Sequence, residues 1–238
     1  MKNRIVLLGT AAALLAAAAS AQLPGRRGGP MRVAMLADGG TFADSSFSQN
    51  SREGLEELLY SGAPIFVQFA EPHSPLNFER KLAALAERDY RLILGVGFRM
   101  APAIAAVAAD YPRTLFACID GDFEDIPHNV QALTFQVDEC AFPAGYLAAA
   151  WADLQDPKDP AIAWVGGMDV DSVNQFVVGF RNGAEHFNKV KGKKVRVLGD
   201  YVGSFDDFAG GRKLAGEQID AGADVVFGVG SISGNGGI

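Results

Sequence analysis

From Met31 onward the chain repeats one pattern: a short continuous apolar run, a turn, then a segment with apolar residues at helical spacing. The runs Arg32–Ala37, Ile65–Phe69, Arg91–Val96, Thr114–Ile119 and Ala132–Gln136 read as strands. Ser46–Leu59, Asn77–Arg88 and Ala101–Ala109 lie between them with helical periodicity. Runs that are apolar throughout, rather than alternating, suit strands covered on both faces, as in a parallel sheet. The pattern then restarts with a helix over Ala141–Asp153, a strand at Ala161–Val165 and a helix at Asn174–Asn188. A strand at Val195–Leu198, a helix at Gly211–Ala221 and a strand at Val225–Val229 follow. Repeated βαβ units with short connections give α/β architecture with right-handed crossovers. The restart predicts two doubly wound parallel-sheet lobes, one over residues 31–138 and a second over residues 139–238, with the helix from Ala141 near the crossing.

The segment before Met31 has another character. Lys2 and Arg4 precede the apolar, Ala-rich stretch from Ile5 to Ala19, and Ala19-Ser20-Ala21 closes it. Those are the three parts of a secretory signal, with the cut before Gln22. The competing reading is a short buried helix, but the Pro- and Gly-rich run Gln22–Pro30 continues no element. Residues 1–21 are therefore expected to be a cleavable signal peptide and residues 22–30 a flexible linker, making the mature protein periplasmic or extracellular. No Cys near the cut offers a lipid anchor there, and no later run is long and apolar enough to span a bilayer. Export permits a disulfide between the two cysteines, Cys118 and Cys140. Two separately buried thiols is the simpler reading, because spacing carries no information on proximity.

The net charge is −7, and −9 once residues 1–21 are removed. With no Lys/Arg-rich stripe, that balance argues against a nucleic-acid partner and favours uncharged or cationic small ligands.

In open parallel sheets ligands bind beyond the C-terminal strand ends. The unusual loops sit there: Asp38–Ser46, Gly95–Met100, Asp120–Asp125, Gly166–Asp171, Gly203–Asp207 and Gly230–Gly237. Phe98 and Asp120 stand in these loops as candidate ligand-binding residues. Asp38, Met168, Phe205 and Ser231 stand in them too, with Phe47 just after the first, and the part these five play at a ligand is implied only by the family resemblance that follows. Plainer uses compete. Asp44, Ser45 or Ser46 can cap a helix, a Phe is usually core, and Gly-rich turns are common. Enzyme motifs are incomplete. Gly95-Val96-Gly97-Phe98-Arg99-Met100 has Met100 where a dinucleotide fingerprint has its third glycine. Asp120-Gly121-Asp122-Phe123-Glu124-Asp125 lacks the Gly and terminal Glu of a calcium loop. His73, His128 and His186 have no metal-ligand spacing, and there is no G-x-S-x-G elbow. No catalytic residue, cofactor or metal is assigned.

Several motifs together resemble the basic membrane protein family of substrate-binding proteins for ABC-type importers, whose best-understood members are purine nucleoside receptors. They are Asp38…Asp44-x-Ser46-Phe47-x-Gln49…Gly54, Asn129-Val130, Gly166-Gly167-Met168, Phe180-Arg181-x-Gly183, Gly203-Ser204-Phe205 and Asp220-Ala221-Gly222-Ala223-Asp224-Val225. The resemblance runs from about Arg32 to Ile238 and implies a periplasmic-binding-protein-like fold with a ligand cleft between two lobes. It further implies that Asp38 lies at the ligand, that Phe47 and Phe205 sandwich a purine, that Met168 lines the cleft and that the loop at Ser231 approaches the ribose. A membrane permease would be the partner. The chain departs from the family at Ser45 and Ser48, where a Lys and an Asn are usual, and at Ile232, where a small residue is common. These departures leave room for a flat heterocycle other than a purine nucleoside. The family pattern also continues past Ile238, so the second lobe is expected to be incomplete. Two other functions stay open at this stage: a secreted hydrolase acting on a similar ligand, and a ligand sensor for a membrane signalling protein.

Overall fold

Five apolar runs assemble into one all-parallel sheet in the order β2-β1-β3-β4-β5, comprising β1 (Met31–Ala37), β2 (Ile65–Ala70), β3 (Leu92–Val96), β4 (Leu115–Ile119) and β5 (Val130–Leu133). The computed structural model describes residues 29–38, 41–72 and 74–238. The expected signal peptide, linker residues 22–28 and His73 lie outside the described residues. Among the described residues no helix is long and apolar enough to cross a membrane.

The chain divides into two compact units. The first holds the described residues through Ala43 together with Phe47–Thr134. Its helices are α1 (Phe47–Tyr60), α2 (Phe78–Glu87) and α3 (Ala101–Ala108). Strand side chains Leu36, Ile93 and Phe116 pack with Phe78 and Leu82 of α2 and Ile104 of α3, all at most 1% exposed. Each such side chain contributes about 1.5–3 kcal/mol by leaving water. Strand β5 begins two residues earlier than its apolar pattern predicts, and Asn129 is the reason. Its buried Nδ2 donates to the carbonyls of Ala108, Tyr111 and Thr114, and its own carbonyl accepts from Phe116 N–H. That anchors strand entry at Val130, opposite Phe116.

The second unit holds Asp44–Ser46 and Phe135–Ile238. Its sheet runs β7-β6-β8, again all parallel, from β6 (Ala161–Gly166), β7 (Arg196–Tyr201) and β8 (Val225–Val229). Its helices are α4 (Val137–Gln155), α5 (Asp171–Lys191), α6 (Phe208–Asp220) and α7 (Ser231–Gly236). Two sequence expectations change here. Helix α4 starts four residues before Ala141 and carries Pro143 in its interior. Asp138 and Glu139 in its first turn complement the helix dipole, and the turn rests against α5, where Asp138 backbone abuts Gly179. Helices α4 and α5 meet backbone to backbone: a Cβ on Gly145 would lie 1.8 Å from the Phe180 carbonyl oxygen, and one on Gly183 2.0 Å from that of Phe142. The Phe180-Arg181-x-Gly183 motif is thus a packing motif, with Phe180 also stacked on Phe227 at 4.7 Å. The Gly-rich stretch after β8, expected as a loop, is the short helix α7. Its small residues let it press on α6, with Gly236 against the Phe208 carbonyl and Ser233 fully buried.

Both cysteines are free thiols. Cys118 is buried in the first core, whereas Cys140, expected to be buried, is exposed on α4.

Candidate functional site

Each sheet has one place where the winding reverses, so that loops leaving two neighbouring strands diverge and open a crevice. In the first unit this falls between β1 and β3; in the second it falls between β6 and β8. Asp38 directly follows β1 and Phe98 lies just after β3, while Met168 lies just after β6 and Ser231 just after β8. Four of the seven candidates thus flank the two switch points. Asp120 follows β4, the next strand along, Phe47 opens α1, and Phe205 lies in the loop after β7.

In the first unit the ladder continues past the strand ends. Asp38 N–H donates to Val96 O (3.0 Å), Gly97 N–H to Ile119 O (3.0 Å) and Asp120 N–H to Leu133 O (2.8 Å). These bonds fix the backbones of Asp38 and Asp120. Gly97 has φ 110°, and a Cβ there would sit 2.1 Å from Asp38 Oδ2, so only glycine lets this carboxylate lie flat over the turn. Arg99 answers from the turn Phe98–Met100: its backbone N–H and its Nε donate to Asp38 Oδ2 at 3.3 and 3.4 Å, and its Nη2 to Oδ1 at 3.5 Å. Burial raises the Asp38 carboxyl above its ordinary range, and the Arg99 charge pulls the other way. Asp120 is raised as well, by burial and then by the Asp38 charge. Beneath them the Cys118 thiol is pushed up to about 12 by burial, Asp38 and Asp120, which removes it as a nucleophile. Phe47 and Phe98 are half-buried, each presenting part of a ring.

The second unit's strand ends carry the acids Asp169, Asp206 and Asp207 beside glycine-rich backbone. Gly167 N–H donates to Val229 O (2.8 Å), and its carbonyl accepts from Gly203 N–H (2.7 Å) and Ser204 N–H (3.1 Å). The Phe205 ring lies directly on Gly167, where a Cβ would come within 2.7 Å of it. Ser233 N–H donates to Phe205 O, and Asp207 N–H donates to Ser233 Oγ (3.0 Å), so α7 clamps the Phe205 loop. Met168 is half-buried in the loop before α5, steadied by Asn174, which donates to Asp169 (2.9 Å) and accepts from the Tyr201 hydroxyl. Ser231 has φ 53° and donates through Oγ to Asp44 Oδ2 at 2.9 Å. Four described non-glycine residues have positive φ, and two of them, Asp120 and Ser231, belong to the candidate set. Strain of that kind concentrates at functional positions.

Two residues do more than the sequence reading assigned. Asp44 reads in the sequence as a cap and as a position of the family motif; its Oδ1 does accept from Ser46 N–H (3.0 Å), and its Oδ2 also accepts from Ser231 Oγ, a tie that neither reading supplies. Arg99 lay inside a motif set aside as half a dinucleotide fingerprint. A cation one turn past a strand, beside a strand ending in Asp, was the available signal. Among the described residues no group of three His, Cys, Asp or Glu side chains is placed to hold a metal.

Comparison with known proteins agrees with the fold. The family model described as Bmp, an ABC transporter substrate-binding protein that is PnrA-like, matches residues 31–238. Basic membrane protein D of Borreliella burgdorferi (strain JD1) is 30% identical, over 86% of this chain and 57% of that protein. The ABC transporter nucleoside-binding protein BmpA of Lactococcus lactis subsp. cremoris (strain MG1363) is 29% identical, over 95% of this chain and 65% of that protein. A solute-binding protein of an ABC transporter system from Aeropyrum pernix K1 superposes with a TM-score of 0.81 at 29% identity, covering 87% of this chain and 57% of that structure. The chain spans less than two thirds of the length of each of these three relatives. With the family model matched over nearly all of the described residues, the chain belongs to the Bmp family of PnrA-like ABC-transporter substrate-binding proteins.

Proposed function

We propose that the protein captures a nucleoside-like small molecule outside the cytoplasm and delivers it to an ABC-type permease, without performing chemistry on it. The observation that carries this reading is the placement of Asp38 and Phe98, and of Met168 and Ser231, at the switch points of the two sheets. Membership of a substrate-binding family and the nucleoside-binding name of the Lactococcus lactis relative point the same way. In this reading Phe47 covers one face of the base and Phe205 the other, gaining stacking and apolar burial. The Asp38 and Asp120 carboxylates set the polarity of the first unit's part of the site. The signal peptide expected at residues 1–21 supplies the export that such a receptor requires.

Calorimetry with purine nucleosides tests the reading. Phe47→Ala and Phe205→Ala should each weaken binding by about 1–3 kcal/mol, roughly tenfold to a hundredfold. The melting temperature of the unliganded variants should change little, since each ring is only partly buried. Variants that bind normally and unfold easily would show the rings to be core and the ligand to sit elsewhere.

A further inference from the structure

Arg99 is the cation at the C-terminal strand ends of the first sheet, and its geometry assigns it a task. Its three contacts with Asp38, at 3.3, 3.4 and 3.5 Å, are longer than the roughly 2.7–2.9 Å of a tight charge-assisted hydrogen bond. The carboxylate therefore orients the guanidinium without saturating it. A guanidinium carries five N–H donors in a planar fork. Asp38 engages the Nε and Nη2 side, and it is the sole side-chain hydrogen-bond partner of Arg99 among the described residues. The Arg99 side chain is 37% exposed and that of Asp38 16%, so the arginine is the more accessible member of the pair and the carboxylate the recessed one.

Resting on the nucleoside reading above, we propose that Arg99 determines specificity by reading two neighbouring acceptors on the base, with Asp38 as the positioning residue behind it. A guanidinium fork matches the O6 and N7 acceptors of a 6-oxopurine, the pairing by which Arg reads the guanine edge. A 6-aminopurine presents an amino donor where O6 would be. Two donors then face each other, and a group stripped of water is left unpaired. The ligand class is a 6-oxopurine nucleoside, taken in preference to a 6-aminopurine one. Asp38 contributes by holding the fork in register, and its substitution loosens the reading of the base without removing the reader.

Calorimetry of inosine and adenosine against the wild type and three variants tests this. Inosine should bind the wild type roughly fivefold to a hundredfold more tightly than adenosine. Arg99→Met should bring the ratio close to one, chiefly by weakening inosine. Arg99→Lys should do the same, because an ammonium keeps the charge and loses the fork. Asp38→Asn should lower the ratio part of the way. A merely structural role would weaken both nucleosides together, so the ratio is the deciding readout, and melting curves identify any variant that is not folded. A wild type that binds both nucleosides equally overturns the Arg99 assignment and leaves the nucleoside reading standing, as does a ratio that survives both Arg99 variants. A wild type that binds neither nucleoside overturns the nucleoside reading, and this inference with it.

Discussion

The C-terminal strand ends of the two sheets are furnished differently. The first unit places two carboxylates and a guanidinium there, Asp38, Asp120 and Arg99, above a buried thiol. The second places Gly167, Gly230, Phe205 and Met168 there, and several of its polar groups meet one another: Asp207 N–H donates to Ser233 Oγ, Gly210 N–H to Asp207 Oδ1 and Asn174 Nδ2 to Asp169 Oδ1. In the proposed function the carboxylates and the guanidinium read hydrogen-bonding pattern, and the ring lying on glycine backbone reads flatness and shape. Both ends rest on a glycine with positive φ, but for different neighbours, and that difference separates the variants below.

The largest effect is expected at Gly230. It has φ 116°, and a Cβ there would meet Gly167 N at 2.6 Å. The obstacle is backbone held by the bond from Gly167 N–H to Val229 O, so nothing can move aside cheaply. Gly230→Ala should cost about 3 kcal/mol of stability from dihedral strain and overpacking together. Denaturant unfolding measures it. A loss under about 1 kcal/mol would mean that the second unit's end is as yielding as the first.

At Gly97 the obstacle is a side chain. A Cβ would strike the Asp38 carboxylate, which can rotate away, although φ 110° still carries strain. Gly97→Ala should therefore cost less stability than Gly230→Ala, about 1–2 kcal/mol. It should also disturb the Asp38–Arg99 pair and so weaken ligand binding. The pair of variants sharpens the comparison: the same substitution is read as unfolding in one unit and as lost recognition in the other.

The sequence made the sheets legible because buried parallel strands need continuous apolar runs, and those runs are local. It also located the strand ends, so Asp38 and Asp120 could be named before any geometry. What escaped it depended on neighbours distant in sequence. The start of β5 is set by Asn129 reaching the carbonyls of Ala108, Tyr111 and Thr114. The early start of α4 depends on α5 lying close enough to meet Asp138 backbone at Gly179. The stretch Ser231–Gly236 is helical because it packs on α6, whereas its composition alone reads as a flexible turn. Arg99 is legible as a cation in a loop, but its meaning comes from Asp38, 61 residues away in sequence.

The smallest effect concerns Asp120, and its sign runs against intuition. Burial, and then the Asp38 charge, raise its carboxyl above the ordinary range, so the folded protein holds this proton more tightly than the unfolded chain does. Its contribution to stability is full below the unfolded value of about 3.9 and is lost as pH rises through the raised folded value. At pH 7 the ionised Asp120 is thus a cost. Asp120→Asn removes the ionisation and keeps a residue type that tolerates φ 57°, so the backbone need not change. The variant should melt slightly higher than wild type at pH 7, and the difference should shrink as pH falls toward about 4. Melting temperature recorded across that pH range checks both sign and trend. A variant that melts lower than wild type at pH 7 would mean that the Asp120 carboxylate has a favourable partner outweighing its burial. The acidic end of the first sheet would then resemble the second, where several polar groups meet one another, and the contrast between the two units would fail where it is most easily measured.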